Sequence, residues 1–346
     1  MGLPFFVTPG RAAPALTAPG DGPIIAAMQT ILRTESLTKT FEVGVRRRRV
    51  QAVRDVSLAV HEGEIFGFVG PNGAGKTTTI KMLMGLIFPT SGRAFIFDAP
   101  IPSADAKRRI GYLPENPSYY EFLTGREALR FFGALSGVAK AALEARCDEL
   151  LGLVGLSDAA DRQIRKYSKG MQQRLGIAQA LVGDPAFVVL DEPMSGLDPI
   201  GRKEVRDLIL ELKRRGKTVF FSTHILPDVE ALADRVGVIL GGKLRDVGRL
   251  HDLLSPRVQS VEAVVDAPGR AREPLAGGRL LSQEGDRLGL SFPDLETANA
   301  AVAAVLAAGG ALVSLAPHRE TLEDFFMRRL EEGRAAGEAP RAPESA

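Results

Sequence analysis

Between Ile31 and Gly248 the apolar positions alternate between two rhythms. Short unbroken apolar runs, Ile65-Phe66-Gly67-Phe68-Val69, Phe187-Val188-Val189-Leu190 and Thr218-Val219-Phe220-Phe221, have the length and make-up of strands buried on both faces. After the first run, Ile80, Leu83, Met84 and Ile87 recur at helical spacing and give one apolar helix face. Strands alternating with amphipathic helices predict an α/β domain. Val236–Leu240 and Lys243–Val247 flank Gly241-Gly242, which suits the two-residue turn of a hairpin.

The composition shifts at Ser255-Pro256. Beyond it, Val261–Val265, Leu288–Phe292 and Leu312–Leu315 read as strands, Leu295–Ala308 as a helix, and Leu322–Leu330 as a closing amphipathic helix. The expected organisation is an arm over residues 1–27, the α/β domain over 28–254, a small C-terminal α+β appendage over 255–332, and a flexible tail over 333–346. The arm is rich in Pro, Gly and Ala without period. Because Met28-Gln29-Thr30-Ile31-Leu32 looks like the start of a strand, the arm reads as a start-site artefact rather than a functional tail.

Hydrophobic residues make up 45% of the 346 and charged residues 25%, the balance of a soluble globular protein. A net charge of +2 gives no electrostatic footprint for nucleic acid or an anionic membrane surface, and nucleic acid is not expected as a partner. Cys147 is the sole cysteine, which excludes an intrachain disulfide and a cysteine-based metal site and fits a reducing, cytoplasmic setting. The alanine-rich stretch Ala300–Ala316 is broken by Gly309-Gly310 and is shorter than a spanning helix needs. Phe5-Phe6-Val7, among Pro4, Pro9 and Pro14, is too short a core for a signal peptide. Work on a membrane would need another chain to supply the span.

Gly70-Pro71-Asn72-Gly73-Ala74-Gly75-Lys76-Thr77, followed by Thr78, is a complete phosphate-binding loop between a strand and a helix. Its glycines let backbone N–H groups turn in on β- and γ-phosphates, and the helix beginning at Lys76 adds its positive end. Lys76 supplies a mobile cation, and the Thr77 hydroxyl is a ligand for Mg²⁺. Asp191-Glu192 follows the run Phe187–Leu190, so both carboxylates emerge at a strand's carboxyl end, where such sheets bind ligands. Asp191 is suited to hold Mg²⁺ through water, and Glu192 to orient and deprotonate the attacking water.

Phosphate loops occur in unrelated enzymes, so the class rests on further motifs. Tyr167-Ser168-Lys169-Gly170-Met171-Gln172-Gln173-Arg174 precedes the Asp191 strand by one helix, Ser195-Gly196-Leu197-Asp198 follows the acidic pair, and His224 follows the strand Thr218–Ser222. In this order, over Ile31–Gly248, the chain resembles the ATP-binding cassette family. The resemblance implies a P-loop NTPase fold with a RecA-like core, an antiparallel β subdomain and a helical subdomain. It also implies ATP and Mg²⁺ as ligands and a signature helix whose Ser168, Gly170 and Gln172 cap the γ-phosphate held by the opposite subunit. Asp198 joins that nucleotide-binding set. With one copy of each motif, the chain is expected to act as a homodimer or with a related cassette.

By the same resemblance His224 is the switch histidine that contacts the γ-phosphate and acts in catalysis with Glu192 and Lys76; taken alone it would read as a turn histidine. Phe41 falls where the family stacks an aromatic on adenine, with Val53 beside it in the nucleotide-binding set, although a core phenylalanine reads equally well. Two departures stand out: Lys169 and Met171 replace Gly and Gln of the signature, and Glu115, in Gly111-Tyr112-Leu113-Pro114-Glu115, replaces a glutamine that meets Mg²⁺. A carboxylate at 115 can ligate the ion, while its extra charge opposes the phosphate. Arg46–Arg49 reads as a solvated hairpin tip. Tyr119, Tyr120 and Phe122, in Glu115–Thr124, resemble the exposed surface that grips a transmembrane permease. The resulting expectation is the ATPase of a multi-component exporter, peripheral on the cytoplasmic face of the membrane. An importer cassette, or a soluble cassette ATPase of translation or DNA repair, is the alternative.

Overall fold

The computed structural model of the chain describes residues 29–44, 47–253, 258–269, 277–319 and 321–335. The expected arm of residues 1–27, Met28, Arg46, the Ser255-Pro256 junction and the chain after Ala335 lie outside the described residues.

A six-stranded sheet organises the domain, in the order β11 (Lys243–Arg249), β10 (Arg235–Leu240), β4 (Ile65–Val69), β9 (Thr218–Thr223), β8 (Phe187–Leu190) and β7 (Ile110–Leu113). From β10 to β7 the neighbours run parallel, and β11 closes one edge as the antiparallel arm of a hairpin through Gly241-Gly242. The three apolar runs form its centre because both faces are covered. Ile65, Val188, Leu190, Val219 and Phe221 face one core, while Phe66, Phe68, Phe187, Val189 and Phe220 face the other. Phe66 and Phe220 stack with ring centroids 5.6 Å apart. Burying each such ring contributes roughly 1.5–3 kcal/mol.

On the second face lie α1 (Lys76–Leu83) and a five-stranded antiparallel sheet of β2 (Arg48–Val56), β1 (Thr30–Val43), β3 (Ala59–His61), β5 (Ser91–Ile96) and β6 (Ala99–Pro100). The short helix α2 (Ala104–Arg108) leads from it into β7. Arg47 and Arg49 are exposed where β1 turns into β2, as a solvated tip requires. On the first face pack α3 (Gly125–Leu135), α4 (Lys140–Leu153), α5 (Lys169–Leu181), α6 (Pro199–Arg214) and α7 (Leu226–Leu232), with α8 (Leu250–Leu253) after β11. The RecA-like core, antiparallel β and helical parts are thus all present.

The appendage is a four-stranded sheet, β13 (Arg279–Glu284), β14 (Arg287–Phe292), β12 (Val258–Asp266) and β15 (Ala311–Arg319), with α9 (Leu295–Ala307) on one face. Two expectations need correction. β13 is not among the expected strands, because its residues are all exposed and lack an apolar alternation. The closing helix, α10 (Leu322–Ala335), runs past the expected start of the tail and packs on α7 of the main domain. Its Leu322 and Phe325, 0% and 2% exposed, belong to the same core as the strands of the main sheet.

Candidate functional site

Four loops with chemistry-bearing residues leave the carboxyl ends of neighbouring strands. Val69 of β4 pairs with Thr223 of β9, Leu190 of β8 with Phe221 of β9, and Leu113 of β7 with Leu190, so the ends lie side by side. The phosphate loop follows β4, His224 follows β9, Asp191-Glu192 follows β8 and Glu115 follows β7. The sheet order, which no local pattern reveals, brings them together.

The loop is shaped by Gly75, whose φ of 106° and whose place over Ala52 leave no room for a side chain; a Cβ there would lie 2.5 Å from the Ala52 carbonyl oxygen. Asn72, Gly73, Gly75, Lys76, Thr77 and Thr78 line a cleft of about 260 Å³ with Ala52 and Glu115. Gly70, Pro71 and Ala74 build its base: Lys76 Nζ donates to Gly70 O at 2.7 Å and Pro71 O at 3.2 Å, and the Ala74 N–H donates to Pro71 O. Lys76 Nζ also lies 3.1 Å from Glu192 Oε1, so all three of its donors face acceptors that a phosphate would have to replace.

Asp191 is fully buried. Its Oδ1 accepts from Ser222 Oγ at 2.6 Å and Thr77 Oγ1 at 3.3 Å, while its Oδ2 has no partner. Burial pushes its carboxyl above the usual range; the Ser222 and Thr77 hydroxyls pull it back, and the Glu115 and Glu192 charges push it further up. A buried, unpartnered carboxylate oxygen beside a threonine hydroxyl, on a cleft that Glu115 also lines, is a donor set for a hard cation. Among the described residues no three His, Cys, Asp or Glu side chains cluster as a complete metal cage, so ligand oxygens would have to complete the shell.

Glu192 stands in the left-handed backbone region at φ 50°, uncommon outside glycine. Its N–H donates to Ser222 Oγ at 2.9 Å, and its carboxylate is bracketed by Lys76 on Oε1 and by His224 Nδ1, 2.9 Å from Oε2. Ser222 therefore ties both acids to β9. It was not singled out from the sequence; its place near the end of β9, two residues before His224, was the available signal.

The remaining candidates lie apart. Ser168 caps α5, its Oγ accepting the Met171 N–H at 3.3 Å, and an accepting hydroxyl keeps its own O–H to donate. Neither Ser168, Gly170 nor Gln172 lines the phosphate cleft. Asp198 caps α6, accepting the Gly201 N–H at 2.9 Å. The departure Lys169 reaches this loop: a Cβ on Gly196 would lie 2.2 Å from its Nζ. Phe41 is 36% exposed on β1 with Lys39 Nζ 5.0 Å from its ring centre, open to a stacking partner rather than buried in the core. Val53 is corrected: it is fully buried and supports Gly75 from beneath, while its neighbour Ala52 lines the cleft.

The expected aromatic surface is also revised. Tyr119 turns inward, its hydroxyl donating to Gln172 O at 3.4 Å, and burial holds that hydroxyl well above the ordinary tyrosine range. Tyr120 and Phe122 are exposed and instead join Phe131 of α3, with ring centroids 5.8 and 5.9 Å apart along the chain of contacts.

The chain is similar to known proteins over much of its length. The family model described as ABC transporter matches residues 53–195. An uncharacterised ABC transporter ATP-binding protein of Synechocystis is 41% identical over 340 residues, covering 96% of this chain and 94% of that protein. The bacitracin transport ATP-binding protein BcrA of Bacillus licheniformis is 46% identical over 220 residues, 63% of this chain and 69% of that one. A fluoroquinolones export ATP-binding protein of Mycobacterium tuberculosis is 44% identical over 195 residues, 56% of this chain and 64% of that one. Among solved structures, a dimeric ATP-binding cassette in a post-hydrolysis state with ADP and Pi has a TM-score of 0.58 at 25% identity, covering 64% of this chain and 99% of that one.

Proposed function

The chain belongs to the ABC transporter family as an ATP-binding subunit, and from that premise we propose that it hydrolyses ATP in this cleft and thereby drives a separate membrane-embedded export permease. The observation that carries the reading is the Glu192 carboxylate held between Lys76 and His224, next to an Asp191 oxygen without a partner. Lys76 and the turned-in N–H groups of the loop bind the β- and γ-phosphates. Glu192 accepts a proton from the water whose oxygen bonds to the γ-phosphorus as the bridging bond to ADP breaks, and His224 orients Glu192 and meets the γ-phosphate. Thr77, Asp191 and Glu115 would hold Mg²⁺, which neutralises charge developing on the phosphates. Phe41 stacks on the adenine.

Two copies, or this chain with a related cassette, share each ATP. The Ser168, Gly170 and Gln172 end of α5 caps the γ-phosphate held by the partner's loop, and Asp198 borders that junction. Support comes from the absence of these residues from their own chain's cleft and from the dimeric neighbour. The relatives named for bacitracin transport and fluoroquinolone export support the export direction. Among the described residues no helix is long and apolar enough to cross a membrane. The relatives named as ABC transporter ATP-binding proteins support a peripheral place on the cytoplasmic face, with a permease supplying the span. Tyr120, Phe122 and Phe131 provide the exposed aromatic patch that grips it.

The test is to coexpress the chain with its candidate permease and purify through the permease. Wild type should copurify and hydrolyse ATP only with Mg²⁺. The Tyr120→Ala/Phe122→Ala variant should lose copurification and transport while the isolated chain still binds ATP. Unchanged copurification would place the permease contact elsewhere, and absent hydrolysis by wild type would defeat the reading itself.

A further inference from the structure

One buried acid takes no part in the site so far described. Asp228, in the first turn of α7, is 1% exposed, and its Oδ2 has no hydrogen-bond partner. Its Oδ1 lies 3.6 Å from Arg206 Nη1 of α6. Arg202, one turn earlier on α6, acts on the same carboxylate and has a buried Nε that is itself unpartnered. Leaving such groups buried with so little pairing is costly, and an apolar side chain would fill the space with less penalty.

The two helices explain why the pairing matters. α7 begins just after His224; the Asp228 N–H donates to Ile225 O, and the Ile225 N–H to Thr223 Oγ1, so acid and histidine share one knitted segment. α7 lies hard on the sheet at Gly67, where a Cβ would meet Val229 at 3.1 Å and Ala233 at 3.2 Å. α6 is capped by Asp198, and its Glu204 lies 3.5 Å from Arg174 of α5, the helix that Ser168 caps. α6 thus touches both the helix after the histidine and the helix that meets the second nucleotide.

We infer that Asp228 is a positioning residue of the hydrolysis site: through Arg206 and Arg202 it registers α7 against α6 and so sets where His224 stands beside Glu192. Electrostatics agree with this placement. Burial pushes the Asp228 carboxyl up, Arg202 and Arg206 pull it down, and among weaker influences Glu192 raises it and His224 lowers it. The inference rests on the proposed ATP hydrolysis.

The experiment measures steady-state ATPase kinetics and melting temperature for wild type, Asp228→Asn, Asp228→Glu, Arg206→Met and the Asp228→Asn/Arg206→Met double variant. Asp228→Asn keeps the shape and removes the charge. It should lower kcat about tenfold, on the order of one decade of barrier, with KM for ATP within about twofold, while Tm stays level or rises because a buried charge is gone. Asp228→Glu should recover part of kcat. Arg206→Met, altered on the more exposed side of the pair, should lower kcat likewise, and the double variant should lose no more than either single one. Unchanged kcat in Asp228→Asn and in Arg206→Met would overturn the inference. So would parallel losses of Tm and kcat that Asp228→Glu does not rescue, the mark of a purely structural contact. If wild type does not hydrolyse ATP, the proposed function fails first and this inference with it; failure confined to the variants overturns this inference alone.

Discussion

His224 Nδ1 lies 2.9 Å from Glu192 Oε2, a distance at which an Nδ1–H donates to the carboxylate, and Lys76 Nζ lies 3.1 Å from the other oxygen. The acid is therefore held from both sides while its backbone occupies a region that glycine normally takes. Such strain persists only where the surroundings impose it, here through the bond from the Glu192 N–H to Ser222.

The neighbouring acid leads to a prediction about pH. Asp191 titrates above its ordinary value because it is buried, so folding takes up a proton between the unfolded and folded values. The cost of its ionised form is fully present above the folded value and is relieved as pH falls toward the unfolded one. Asp191→Asn should therefore raise Tm at neutral pH and lose that advantage below about pH 4, while abolishing Mg²⁺-dependent hydrolysis. Calorimetric melts of both proteins across this range are the check; a variant less stable than wild type at neutral pH would contradict it.

Phe325 makes the C-terminal helix part of the main domain's core. Phe325→Ala should destabilise the main cooperative transition by about 3–5 kcal/mol, the range for emptying a buried phenylalanine site. Because the chain has no tryptophan, far-UV circular dichroism during denaturation is the suitable readout. A variant whose main transition stays put would show that α10 only decorates the surface.

Ser168 and Lys76 stand on different elements, the start of α5 and the start of α1. If they act on one nucleotide across a dimer, mixing Lys76→Ala with Ser168→Glu subunits should place both lesions in one composite site and leave the other intact. The mixture should then regain part of the activity that each parent lacks. No regain, although mixed dimers form, would argue against a shared site.

Much of this was legible in the residues. Strands β4, β8 and β9 announce themselves as unbroken apolar runs, and the phosphate loop and Asp191-Glu192 follow directly from them. What stayed hidden depends on partners distant in sequence. Tyr119 and Tyr120 are adjacent in an aperiodic segment, and only contacts distant in sequence, the Gln172 carbonyl and the core beside it, show that Tyr119 turns in while Tyr120 stays out. α10 shows an apolar face, but amphipathicity does not name the surface that receives it. Asp228 reads as an ordinary acid in a helix's first turn, and only the packing of α6 against α7 makes it a buried charge.

In the proposed reaction Glu192 takes the proton from the attacking water. The direct measurement is single-turnover ATP hydrolysis by Glu192→Gln beside wild type, with sizing chromatography in ATP. The substitution keeps the size of the side chain and removes the base, so hydrolysis should slow by roughly 10²–10⁴-fold, the usual worth of a general base. ATP binding should persist, and the variant should accumulate as an ATP-bound dimer. Hydrolysis at the wild-type rate would contradict the assignment.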